Sequence, residues 1–169
     1  MIGVFISMND SVEIIKGSLF DSEDKYIVHQ CNCVTKRAAH LSLDVFTRYP
    51  YSDVYKERKG IMYDHIDSPG EIIVRGNGED ERYIINLFGQ YYPGKIKYPN
   101  SALDGEKARK DYFFSGLCKI AKIDKLESVS FPWGIGCGAA GGNWDFYHNL
   151  ICKFAYHVKE KAKVTIYRL

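Results

Sequence analysis

The run Phe131-Pro132-Trp133-Gly134-Ile135-Gly136-Cys137-Gly138-Ala139-Ala140-Gly141-Gly142-Asn143-Trp144 constrains this chain more than any other segment. It packs five glycines between an apolar run with strand character and an amphipathic run with helical spacing. Glycine reaches positive φ without penalty and lets a ligand approach the main chain. Successive N–H groups in such a turn can converge on an anion, and the helix that starts near Trp144 adds the positive end of its dipole. A turn that serves only tight packing has the same composition, so both readings stay open. The segment is not a P-loop, because it lacks the Gly-Lys-Ser/Thr ending, and it is not the GxGxxG dinucleotide fingerprint.

Strands and helices alternate along the rest of the chain. Val12–Lys16, Lys25–Gln30, Glu71–Arg75, Arg82–Phe88, Val129–Phe131 and Lys163–Leu169 read as strands. Gly76-Asn77-Gly78 signals a hairpin between the third and fourth. Leu103–Ile123 reads as a helix with Ala108, Tyr112, Leu117, Ile120 and Ala121 near one face. In the helix Trp144–Val158, Tyr147, Ile151, Phe154, Ala155 and Val158 fall at i, i+4, i+7, i+8 and i+11. Pro50 divides His40–Arg58 into two short helices. The alternation predicts an α/β layered sheet, mostly parallel with one antiparallel hairpin, and one domain over residues 1–169. Ligands of such sheets sit beyond the carboxyl ends of the strands, here the segments after Gln30, Phe88 and Phe131.

Composition narrows the ligand. Lys and Arg number 23 against 21 Asp and Glu, leaving +2, which argues against specific nucleic-acid binding and requires any anion to be gripped locally. No apolar run has the length of a membrane span, and the N-terminal stretch lacks the basic start of a signal peptide, so no membrane partner and a cytoplasmic location are expected, with the nucleus left open. Five cysteines, an odd number, read as free thiols in a reducing compartment. Cys31 and Cys33 beside His29 lack the second ligand pair of a structural zinc site, so neither a metal nor a cofactor is expected.

The second informative stretch is Val28-His29-Gln30-Cys31-Asn32-Cys33-Val34-Thr35-Lys36-Arg37-Ala38-Ala39-His40. A strand delivers His29 and Asn32 near its carboxyl end. An imidazole can move a proton near neutrality, and an asparagine amide can orient a hydroxyl or a water. A histidine satisfied within the core is the competing reading of His29. Lys36 and Arg37 can meet phosphate or stay solvated. Asn86 and Gln90 flank a strand end, Tyr167 can stack on a base, and His65 reads as exposed.

Taken together and in order, Lys16-Gly17-Ser18-Leu19-Phe20, His29-Gln30-Cys31-Asn32, Ile85-Asn86-Leu87-Phe88-Gly89-Gln90, the glycine-rich run and Val164–Leu169 resemble the macrodomains. The resemblance is strongest to the branch holding the terminal ADP-ribose glycohydrolase and the ADP-ribose-1''-phosphate phosphatases. It implies a three-layer α/β/α fold with a mixed, mostly parallel six-stranded sheet. It further implies that the Cys33–Leu41 loop and the Gly134–Gly142 loop close over a diphosphate. Its ligand contacts would be Ser18, Leu19, Cys33, Thr35, Lys36, Gln90, Gly134, Ile135, Gly136, Cys137, Gly138, Ala139, Ala140 and Tyr167, the last stacked on adenine. Asn32 would lie at the distal ribose, with His29 and Asn32 as the catalytic pair.

The sequence departs from the family pattern at informative places. Ser18 stands where the family has an adenine-reading Asp, leaving Ser18 or Asp21 for that task. The first phosphate loop is not glycine-rich. Gln90 and Ala140 stand where the glycohydrolase has its Lys and Asp. The leading expectation is therefore a monomeric phosphatase that converts ADP-ribose 1''-phosphate to ADP-ribose, with small-molecule ligands as partners. The alternatives are a reader of ADP-ribose or of ADP-ribosylated protein, and a hydrolase of ADP-ribose esters or O-acetyl-ADP-ribose.

Overall fold

The computed structural model describes residues 8–61 and 66–169, so the readings of the extreme N-terminus and of His65 lie outside the described residues. The elements are β1 (Val12–Lys16), β2 (Tyr26–Cys31), α1 (His40–Arg48), β3 (Ile72–Arg75), β4 (Tyr83–Phe88), α2 (Glu106–Ala121), β5 (Glu127–Pro132), α3 (Trp144–Val158) and β6 (Ala162–Arg168), with three short 3-10 turns. The six strands form one sheet in the order β1-β6-β5-β2-β4-β3. Every pairing is parallel except β3 with β4, where Ile72 faces Leu87 and Val74 faces Ile85. The hairpin closes as its asparagine and glycines predict, with Asn77 N–H donating to the Glu81 carbonyl at 2.9 Å.

Each central strand sends alternate side chains to opposite faces. Val28, Ile85, Leu87, Val129, Phe131 and Ile166 join Phe113 and Leu117 of α2 and Tyr147 and Ile151 of α3 in one core. Ile27, Cys31, Ile84 and Phe88 join Val45 and Phe46 of α1 in the other. Two apolar layers on either side of one sheet make the architecture a three-layer α/β/α sandwich.

Three local expectations need correction. The region after Pro50 is a 3-10 turn, Pro50–Ser52, rather than a second helix. There Asp53 Oδ1 accepts from the N–H groups of Tyr55 and Lys56 at 3.0 and 3.1 Å, and such a side chain competes with helical pairing. Helix α2 begins at Glu106 instead of Leu103, because Ser101 Oγ and its carbonyl hold the preceding turn through Asp104 N–H and Gly105 N–H. Its buried face is Ala108, Arg109, Phe113, Gly116, Leu117 and Ile120, with Tyr112 only half-buried. All five apolar residues expected on α3 are buried.

Candidate functional site

Parallel pairing brings the carboxyl ends of β2, β4 and β5 to one edge of the sheet, and a cleft of about 440 Å³ opens there. Gln30 and Asn32 form its floor. One wall is the N-terminal turn of α1 with Arg37, His40 and Ser42, and the other is Gly134–Ala140 with Trp133 before it. Pro93 and Gly94, from the loop after β4, close the remaining side.

The glycine-rich wall is built around its own spare donors. Within it, Cys137 N–H bonds to the Gly134 carbonyl at 2.8 Å, Gly141 N–H to Gly138 at 3.1 Å and Gly142 N–H to Gly136 at 3.1 Å. Those bonds leave the N–H groups of Gly136, Gly138, Ala139 and Ala140 with no protein acceptor among the described residues. Gly134 and Gly136 hold φ of +78° and +76°, values that a side chain would strain. A Cβ on Gly136 would stand 3.0 Å from both Gln30 Oε1 and Tyr147 Cε1, so the backbone here is pressed against the floor. Across the cleft, Ala39 holds the N-cap position of α1 and its side chain caps nothing, so the first N–H groups of the helix and its dipole also point to the opening. No carboxylate and no lysine lines the cleft among the described residues. Uncapped donors facing each other across a cleft without acid groups are suited to an anion.

Two buried arginines hold the walls in place. Arg58, 3% exposed, donates to the carbonyls of Asn32 at 2.7 Å and Thr35 at 2.5 Å while its Nε meets Asp67 at 2.9 Å. Arg109, 2% exposed, makes a two-pronged bond to Asp104 at 3.0 and 2.6 Å, and donates to the carbonyls of Gly94 at 2.8 Å and Ala140 at 3.4 Å. The second guanidinium therefore ties the loop after β4 to the glycine-rich wall. Sequence reasoning missed both, because a charge on a mixed face reads as solvated.

The floor contains an unusual acceptor. Gln90 Nε2 donates to the Tyr92 carbonyl at 2.8 Å, so Gln90 Oε1 accepts from Gln30 Nε2, also at 2.8 Å. This orientation leaves Gln30 Oε1 buried with no partner. Asn32 is turned onto its own loop: its Oδ1 accepts from Val34 N–H and Thr35 N–H at 3.0 and 2.9 Å, and its Nδ2 donates to Thr35 Oγ1 at 2.9 Å. One Nδ2 proton remains to face a ligand.

His29 does not line the cleft. It is fully buried on the α1 face of β2, edge-on to Phe46, and directly opposite Asn86 in the β2–β4 register. Asn86 Nδ2 donates to the carbonyls of Ser52 and Ile73, so its Oδ1 accepts the Nε2 proton of His29 at 2.6 Å. The Nδ1 atom is then an acceptor, 3.2 Å from the Ser42 hydroxyl. Burial lowers the His29 pKa to about 4, with the Asn86 bond opposing, so the ring is neutral at physiological pH. Contrary to expectation, the structure places His29 outside the cleft: Asn86 accepts from its Nε2, and Ser42, whose hydroxyl donates to the Gln30 carbonyl at 3.1 Å, stands between its ring and the cleft.

The other expected residues divide into two groups. Asn32, Gln90 and the run from Gly134 to Ala140 line the cleft. Cys33 and Thr35 are buried behind it: Cys33 Sγ meets the Gln90 carbonyl at 3.4 Å, its thiol is pushed by burial to about 12, and Thr35 Oγ1 is bound to Asn32. Lys36 is beside the wall without lining it. Ser18, Leu19 and Tyr167 follow β1 or end β6, on the same edge of the sheet but outside the cleft. Ser18 instead caps a 3-10 turn, accepting from Phe20 N–H at 3.2 Å while Asp21 Oδ2 accepts from Ser18 N–H, and Leu19 is buried. Ser42, Pro93 and Gly94 were not singled out by their residue types, and Gln30 and Trp133 entered only as members of the two informative stretches. The Cys31 thiol is buried and held well above its ordinary value, unfit as a nucleophile.

No family model matches the sequence, and no curated protein matches it by sequence. Solved structures do match. The macrodomain of Mycobacterium tuberculosis DarG superposes with a TM-score of 0.67 at 19% identity, covering 92% of this chain and 96% of the other. The chain has the macrodomain fold. The macrodomain of Thermus aquaticus DarG gives a TM-score of 0.64 at 20% identity over 93% of this chain and 96% of its own. The Trypanosoma brucei macrodomain, solved in complex with ADP-ribose, gives 0.64 at 12% identity over 94% of this chain and 63% of its own. At these identities the macrodomain likeness is one of architecture, and the chemistry has to be argued from the cleft.

Proposed function

We propose that the cleft binds ADP-ribose and that the protein hydrolyses ADP-ribose 1''-phosphate. The observation that carries the reading is the set of unpaired N–H groups at Gly136, Gly138, Ala139 and Ala140 facing the uncapped start of α1 across a cleft without acid side chains. A pyrophosphate there would take donors from both walls, with Arg37 adding a positive charge at the rim. The remaining Asn32 Nδ2 proton and the orphaned Gln30 Oε1 supply a donor and an acceptor for ribose hydroxyls or ordered water. The macrodomain of Trypanosoma brucei with ADP-ribose bound supports the same ligand class. A terminal phosphate would be held by the binding energy of the rest of the ligand, and backbone donors would stabilise charge that develops on it.

A second reading, a reader that holds ADP-ribose without turnover, is favoured by one observation. His29, the residue expected to exchange protons with substrate, is sealed beneath the floor. Calorimetric titration with ADP-ribose, followed by a phosphate-release assay on the same sample, separates the readings. Binding with release supports the phosphatase, binding alone supports the reader, and absence of binding overturns both.

A further inference from the structure

Among the described residues that line the cleft, the ionisable side chains are Arg37, His40 and Cys137. A guanidinium does not give up its proton near neutrality. Burial pushes the Cys137 thiol up to about 11, and Cys137 Sγ faces the Ile135 carbonyl at 3.4 Å. His40 is thus the lining group that offers an imidazole, whose two ring nitrogens can accept or donate a proton.

His40 also has a backbone that few non-glycine residues adopt. Its φ is +53°, and it opens α1 as an exposed residue that lines the cleft. The other two non-glycine residues at positive φ among the described residues, Lys125 and Glu127, sit at the opposite edge of the sheet, where the chain turns into β5. At the cleft, glycine would hold the same backbone without the steric cost that a Cβ imposes. Strained non-glycine residues concentrate where their side chains have work to do.

Resting on the phosphatase reading above, we propose that His40 is the catalytic base of this cleft. Its imidazole takes a proton from the attacking water as the water oxygen bonds to phosphorus. The bond between phosphorus and the ribose oxygen breaks on the opposite side, where solvent water in the open cleft protonates the leaving oxygen, and the imidazolium returns its proton to solvent. One water is consumed, and ADP-ribose and inorganic phosphate are released.

The test uses His40→Gly and His40→Asn, both compatible with a positive φ, so loss of fold does not confuse the outcome. Each variant keeps its Kd for ADP-ribose within about threefold of the unmodified protein. Each releases phosphate from ADP-ribose 1''-phosphate roughly 10²–10⁴-fold more slowly. The thermal midpoint of His40→Gly does not fall, and free imidazole restores part of its rate. ADP-ribose binding with unchanged phosphate release in either variant overturns this inference alone, whereas binding with no release by the unmodified protein overturns the phosphatase reading and this inference with it. Absence of ADP-ribose binding by the unmodified protein overturns the reading of the cleft and the inference with it.

Discussion

Arg109 and Ala140 lie 31 residues apart, and the guanidinium of one donates to the carbonyl of the other at 3.4 Å, inside a core that leaves Arg109 only 2% exposed. The same guanidinium is paired with Asp104, itself buried. Truncating one member of a buried pair leaves the other charge uncompensated, at a cost of roughly 3–5 kcal/mol. Arg109→Met therefore lowers unfolding free energy by about that amount in a urea titration. The double variant Arg109→Met with Asp104→Asn recovers part of the loss. It does not recover ADP-ribose affinity, because the tie between the two walls is gone. Equal recovery of both quantities would show that the tie has no part in binding.

The buried imidazole of His29 makes stability depend on pH. Its folded value of about 4 lies below the ordinary 6.5, so the unfolded chain binds the extra proton as pH falls. The contribution is full above pH 6.5, declines between 6.5 and 4, and amounts to roughly 3 kcal/mol over that window. Urea titrations at pH 7, 6, 5 and 4.5 show the decline in the unmodified protein and a flatter curve in His29→Gln. Parallel curves for the two proteins would mean that the ring is not held neutral.

Two glycines of one loop respond differently to a methyl group. Gly138 has open space around a built Cβ, whereas Gly136 combines φ of +76° with contacts at 3.0 Å. Gly136→Ala costs about 1–3 kcal/mol of stability, and Gly138→Ala stays within about 0.5 kcal/mol. Since Gly138 borders the cleft, its substitution weakens ADP-ribose binding while the fold holds. Calorimetry alongside denaturation reads both effects, and a Gly138→Ala protein with unaltered affinity would move the diphosphate elsewhere.

At the opposite edge of the sheet, Asp24, just before β2, fastens that approach to β5 and β6. It accepts from Ser130 at 2.5 Å and from Thr165, and pairs with Lys163 at 3.2 Å. Burial pushes its pKa upward, but the two hydroxyls and the Lys163 ammonium outweigh that and hold it below the ordinary 3.8. Its stabilisation is present above pH 3.8 and is lost as pH falls through the lower folded value. Asp24→Asn costs about 1.5–3 kcal/mol at pH 7, with ligand affinity unchanged, since the cleft is at the other end of the strands. A variant equally stable at pH 7 would show that the carboxylate is not needed there.

Much of this architecture is written in short stretches of residues. The i, i+4, i+7 spacing from Tyr147 to Val158 marks the buried face of α3, and Gly76-Asn77-Gly78 marks the one antiparallel turn. Five glycines after an apolar strand locate the wall of the cleft, because positive φ and close approach are local demands of the backbone. Side-chain direction within β2 was not legible. His29 and Gln30 are neighbours, but one is sealed against α1 and the other reaches the cleft. A central strand covered on both faces shows no alternation of apolar and polar residues, so the sequence of β2 does not tell its faces apart. Nor could the clamps be read from sequence: Arg109 finds Ala140, and His29 finds Asn86 57 residues away, only because the strands pair as they do. Periodicity and backbone preference act between near neighbours and belong to the chain. The partners of buried polar groups are supplied by chain pairing across the sheet, and only the tertiary structure decides them.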